Sequence, residues 1–253
     1  MTSHLSIDLS PHGARMIVLR DGVALHSVDV SFEDASEDAH KETLKKAFAD
    51  HPFLSDDFDE VTLGWASRQS TLVPNSVFAD SDPKSIYKLC YGEGTPSGEV
   101  DYNRISELSV VNTFQIPLWI KSFFVIRFPR VVLQHSGSHL LRHAINTNAF
   151  RSKVSAVVYT DHFLMSIVKH NELQFYSSFD AGTPEDVIYH LMFVLQQKEL
   201  ADETGSIEIT SGCGANPEIC KEVVSGLSKI GNLKSYKVSF VEGLVPQSHT
   251  LCV

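Results

Sequence analysis

The chain of 253 residues is 43% hydrophobic and 21% charged, enough for one large or two ordinary domains and too apolar to stay disordered. Its formal net charge of −10 argues against a sequence-independent grip on nucleic acid and against docking on an anionic lipid surface, both of which need a basic face. The longest apolar run, at 116–128, is broken by Pro117, Lys121 and Arg127, short of the ~18 residues that span a bilayer.

The opening residues lack a basic region followed by an apolar core, so no secretory signal is expected. Cys90, Cys213, Cys220 and Cys252 form no CxxC pair, which fits reduced thiols in a cytoplasmic chain.

Residues 5–30 predict a three-stranded antiparallel meander, with Asp21-Gly22 as a tight turn between apolar runs. Ser36 then opens a helix whose first turn is acidic, and His51-Pro52 ends it. Glu60–Ala66 is the next strand. Residues 71–74 are extended, Asp82–Tyr91 is a short helix, and the glycine-rich 92–98 is expected to be a mobile loop. Leu108–Phe114 reads as a strand, and Pro117 as the first turn of a helix that Pro129 closes. Val131–Gln134 is a strand, and Ser136 is expected to cap a helix reaching about residue 148.

The meander then recurs at 154–179. Ile167, Val168, Lys169 and Asn171 each stand 149 positions after Val18, Leu19, Arg20 and Gly22. Thr183-Pro184-Glu185-Asp186 is a helix start with a capping residue, a proline at the first helical position and an acid to return the bond. A strand at 206–211, a helix through Ile219, Val223 and Leu227, and a strand at 236–241 follow.

Strand-strand-strand-helix-strand-helix-strand describes the ribonuclease-H-like unit, whose helix-linked strands run parallel through right-handed crossovers. Two such units in tandem resemble the actin-like ATPase fold of actin, the heat-shock ATPases and hexokinase. Residues 71–78, 114–129 and 183–195 resemble a bacterial domain family of unknown function with this fold. That family is distantly similar to the cytoplasmic actin-like components of type IV pilus and type II secretion machinery. The resemblance implies an α/β chain divided into 1–148, with 71–114 inserted, and 149–253.

In actin-like ATPases an Asp-x-Gly turn after the first strand of each half clasps phosphate and metal. Such a turn needs unobstructed backbone N–H groups and a carboxylate for a hydrated cation. Here Asp8 fits, Ser10 replaces the glycine, Pro11 brings no N–H, and Gly13 closes the turn. In the second half Val157 aligns with Asp8, and Thr160-Asp161 follow without glycine. Ser211-Gly212-Cys213-Gly214 resembles the adenosine loop, or is a plain strand-to-helix turn. The resemblance thus assigns Asp8, Ser10, Gly13, Asp161, Gly212 and Gly214 to a nucleotide cleft taking ATP and Mg²⁺, or one that has lost them and that side chains such as Tyr159 fill.

No GxxxxGK[ST] or GxSxG motif occurs. His135, His139 and His143 stand four apart, but without HExxH or a completing ligand they read as surface histidines. Cys213, with no neighbouring histidine, reads as buried or inert. Trp65, Phe114, Trp119, Phe123 and Phe124 read as core, or as part of an interface. The leading expectation is a non-catalytic protein-binding component with degenerate phosphate turns. The alternative is a divergent ATPase or sugar kinase. A ribonuclease-H-type metal hydrolase is weaker, since only Asp8 and Asp161 are placed for it. A protein partner is expected, nucleic acid and membrane insertion are not, and homo-oligomerisation is open.

Overall fold

A computed structural model describes residues 2–78, 81–147 and 149–251. Strands β1 (Ser3–Ser10), β2 (Gly13–Arg20) and β3 (Val23–Ser31) form the first meander. Helix α1 (Glu37–Asp50) and strand β4 (Glu60–Trp65) follow. Next come β5 (Ser70–Pro74), α2 (Asn75–Phe78), α3 (Pro83–Tyr91), β6 (Gly98–Ile105), β7 (Val110–Pro117), α4 (Leu118–Arg127), β8 (Val132–His135) and α5 (Ser136–Asn146). The second meander is β9 (Ser152–Val158), β10 (His162–Lys169) and β11 (Glu172–Asp180). It continues with α6 (Pro184–Gln197), β12 (Gly205–Ser211), α7 (Pro217–Ser228), β13 (Tyr236–Phe240) and α8 (Leu244–Thr250).

Two five-stranded sheets result, ordered β3-β2-β1-β4-β8 and β11-β10-β9-β12-β13. In each, the meander is antiparallel and the helix-linked strands are parallel. The halves therefore repeat one topology, the tandem ribonuclease-H-like arrangement of the actin-like fold. The repeat extends to an irregularity. The β2–β3 register shifts between Val18 and Leu19, and the β10–β11 register shifts between Ile167 and Val168, the residues that the sequence repeat aligns.

Local chemistry sets the helix ends. Ser36 caps α1, Asp82 caps α3, and Thr183 and Asp186 form a reciprocal capping box on α6. Three sequence expectations are corrected. Pro117 is the residue before α4 rather than its first helical position, and His135, not Ser136, caps α5 by accepting from the Gly137 N–H. The strand expected at 108–114 starts at Val110 and runs to Pro117. Three elements went unexpected, the first being the four-residue helix α2. β6 is a mostly polar edge strand of the β5-β7-β6 sheet, and its alternation is short, with Val100 and Tyr102 between Glu99, Asp101 and Asn103. α8 is too short for a periodic signal. The glycine-rich loop is tied at Thr95, whose N–H and hydroxyl donate to Gln115, while the Gln115 amide donates back to the Thr95 carbonyl.

Strand alternation divides the interior. Leu5, Ile7 and Leu9 pack into one core with Leu44, Leu63 and Phe124. Val154, Ala156 and Val158 pack into another with Leu191, Val223 and Leu227. The intervening residues of β1, His4, Ser6, Asp8 and Ser10, are buried on the opposite face. There the halves exchange helices: α5 packs on β9 and β10 of the second sheet, and α8 packs on β1 and β4 of the first. Ser6 Oγ lies 2.8 Å from His249 Nδ1, the His249 and His139 rings lie 4.3 Å apart, and His4 Nε2 lies 3.0 Å from Thr62 Oγ1.

His135 and His139 are buried in this layer and His143 is half-buried, which overturns their reading as surface histidines. α5 turns its histidine stripe inward because it is covered on both sides. Among the described residues no group of His, Cys, Asp and Glu is placed to hold a metal, and no helix is long and apolar enough to cross a membrane.

Burial holds His135 and His249 down to about 3 and His4 to about 4. These rings fold neutral, whereas in the unfolded chain they take a proton near pH 6.5. Their contribution is intact above that pH and is lost as pH falls toward about 3. Each costs up to about 1.4 kcal/mol per pH unit over that range. Thermal melts from pH 7.5 to 4.5 are expected to show a steep fall in Tm below pH 6.5, reduced in His249→Gln.

Candidate functional site

The site expected from the sequence lies where the tips of the two meanders meet the loop after β12. Asp8, near the end of β1, is 2% exposed. One of its carboxylate oxygens accepts the Cys213 backbone N–H at 2.8 Å, and the other accepts the Tyr159 hydroxyl at 3.2 Å. Both partners belong to the second half, so both oxygens are spent across the groove. Burial pushes the Asp8 carboxyl up, while the Cys213 N–H, the nearby Arg15 guanidinium and the Tyr159 hydroxyl pull it back. Arg15 is itself held by Asp29 at 2.6 Å and donates to the Ser211 carbonyl at 3.1 Å.

The turns close on one another. Ser10 Oγ accepts the His12 N–H at 3.2 Å, so the hairpin spends that N–H on itself. A Cβ on Gly13 would stand 2.4 Å from the Val30 carbonyl oxygen and 3.6 Å from Gly214 Cα. Gly214 adopts φ +75°, and a Cβ there would lie 3.5 Å from the His12 carbonyl oxygen. The glycines thus let the first hairpin seat against the loop after β12. A Cβ on Gly212 would stand 2.2 Å from the Tyr159 ring, so that glycine accommodates tyrosine.

Tyr159 is 2% exposed and packs with Leu140, Leu164, Cys213 and Leu244. Its ring stacks on His162 at 4.9 Å, and His162 Nδ1 bonds Asp161 at 2.7 Å. Asp161 also meets His12 Nε2 at 3.3 Å, across to the first hairpin. The His162 bond, with His12 adding to it, holds the Asp161 carboxyl well below the usual range. Burial pushes the Cys213 thiol up, so it is a neutral, unreactive thiol as its sequence context suggested. Two cavities remain open beside it, one of about 380 Å³ lined by Pro11, Trp65, Arg68, Gln69 and His162, and one of about 270 Å³ lined by Arg15, Asp29, Ser211, Pro217 and Gly243.

Asp8, Ser10, Gly13, Gly212 and Gly214 therefore do converge, and Asp161 reaches them through His12. Asp161 does not share a metal-binding face with Asp8, because its oxygens go to two histidines. Sequence reasoning missed Arg15, His12 and His162. Arg15 carried a signal, a charge flanked by Ala14 and Met16 inside an apolar strand. The histidines carried none.

Over residues 2–224 the sequence matches the family described as Protein of unknown function (DUF3822). The chain belongs to this family. No curated protein matches it. Among solved structures it is similar to a protein of Bacteroides thetaiotaomicron VPI-5482 with an actin-like ATPase fold and unknown function. That match has a TM-score of 0.77 at 21% identity and covers 100% of this chain and 96% of the other. It is also similar to a chain of the PilM-PilN type IV pilus biogenesis complex, with a TM-score of 0.57 at 10% identity, covering 98% and 94%. These neighbours establish the actin-like ATPase fold for this member of the family.

Asp8→Ala removes the acceptor for a buried N–H and a buried hydroxyl. The expected cost is about 2–4 kcal/mol of unfolding free energy in urea titrations, with Asp8→Asn milder. Gly212→Ala, which drives a methyl into the Tyr159 ring, is expected to cost at least as much as Asp8→Asn in the same assay.

Proposed function

We propose that this protein is a non-catalytic, actin-like-fold component that binds another protein and does not use its inter-half groove for a nucleoside triphosphate. One observation carries the reading: both oxygens of Asp8 are bonded across the groove, and the Tyr159 ring fills the space beside Gly212. The residues present do not fit a magnesium-bound triphosphate in this arrangement. Such a group needs a carboxylate facing a hydrated cation and free turn N–H groups. Here the carboxylate faces protein, Pro11 has no N–H, and the His12 N–H is taken by Ser10. The protein-binding half of the reading is supported by the fold's occurrence in the PilM-PilN complex. The rival reading, a divergent ATPase or kinase, requires Tyr159 to leave its pocket and Asp8 to exchange two bonds for a hydrated cation.

Isothermal titration of the full chain with ATP and Mg²⁺ is expected to give no binding heat, and thermal melts no nucleotide-dependent shift. Micromolar binding that Asp8→Ala abolishes would overturn the reading in favour of the rival.

A further inference from the structure

The two halves provide an internal control for surface chemistry. α1 and α6 occupy the same position in the repeated topology, and each has 14 residues. Counted from their first residues, the exposed stripe of α1 is Asp38, Glu42, Lys46 and Asp50, all charged. The same stripe of α6 is Glu185, Tyr189, Phe193 and Gln197, all exposed. These residues recur every four positions and so lie one above the other on a single helix face. Tyr189 is 64% exposed and Phe193 48%, and their rings stack at 6.3 Å with an interplanar angle of 18°. The fold does not need aromatic residues there, because α1 fills the same place with charges.

We infer that the Tyr189–Phe193 face of α6 is the docking site for one short segment of another protein, an amphipathic helix with an apolar stripe and basic flanks. This inference rests on the protein-binding reading above and names its surface. The size of the patch selects the occupant. The exposed part of the two rings is on the order of 200 Å², against about 800 Å² per partner for a stable protein–protein interface. A second copy of the whole chain would gain too little from it, whereas one helix laid along α6 needs no more than a few apolar anchors. Stacked aromatic rings lose little side-chain entropy when covered, which makes them anchor residues. Charge sets the flanks. Glu185, one turn before Tyr189, makes no ion pair among the described residues, and α6 has no lysine or arginine. The chain's net charge of −10 steers basic segments toward it.

The test is fluorescence anisotropy of the full chain with a fluorescein-labelled 16-residue amphipathic helix of leucine and lysine. A leucine–glutamate counterpart and a scrambled leucine–lysine peptide serve as controls. The expected result is micromolar binding of the first peptide, at least tenfold tighter than either control. Tyr189→Ser/Phe193→Ser is expected to weaken it at least tenfold with an unchanged Tm. Glu185→Lys is expected to weaken it and flatten its salt dependence, and decides the matter if the double variant does not fold. Absent binding, or binding that survives both changes, would overturn the proposal. So would a dimer in sedimentation velocity that the double variant dissolves, since the occupant would then be a second copy. Nucleotide binding found alongside peptide binding would sink the reading of the groove and leave this surface standing.

Discussion

A buried carboxylate tolerates no missing partner, and Asp8 takes its hydrogen-bond partners from the other half of the molecule. The first sheet presents the carboxyl group, and the second supplies a backbone N–H and a phenol. Arg15 adds a guanidinium that also reaches the Ser211 carbonyl. The position from which a carboxylate would reach a hydrated cation thus serves as a joint. Opening the groove would break the bonds of the acid, the amide and the hydroxyl together and exchange them for bonds to water, so the closed arrangement is cooperative.

The helix exchange works toward the same end. α5 leaves the first half to cover the second sheet, and α8 leaves the second half to cover the first. Neither sheet has a complete interior without the other's helix. This interior is unusually polar, with His4, Ser6, His139 and His249 in place of aliphatic side chains. Such a layer has directional contacts and resists sliding in a way that an aliphatic layer does not. The dependence of its rings on staying neutral makes the joint between the halves the acid-sensitive part of the structure.

Besides the β5-β7-β6 sheet that only the first half carries, the two halves differ on surfaces that the shared topology does not constrain. The paired strands keep their bulge at equivalent residues, because a register slip would turn every core side chain outward. The outer stripes of α1 and α6 carry no such constraint, and after an acid at the first position of each they differ in chemistry.

Periodicity and turn chemistry were sufficient for the repeated architecture. The 149-residue offset, Asp21-Gly22, the acidic start of α1 and the Thr183–Asp186 box are local signals, and local signals survive in a single sequence. The resemblance built on that element order assigned Asp8, Gly13, Gly212 and Gly214 to one groove, and the structure brings them together there. Only the tertiary structure decided what those residues do there. Whether Asp8 faces water or Tyr159, and whether His139 lies outside or inside, depends on which helix covers which sheet. That is settled by contacts between residues more than a hundred positions apart, such as Ser6 with His249. Sequence spacing carries no trace of such contacts, because the burial that defines them exists only once both halves have folded against each other.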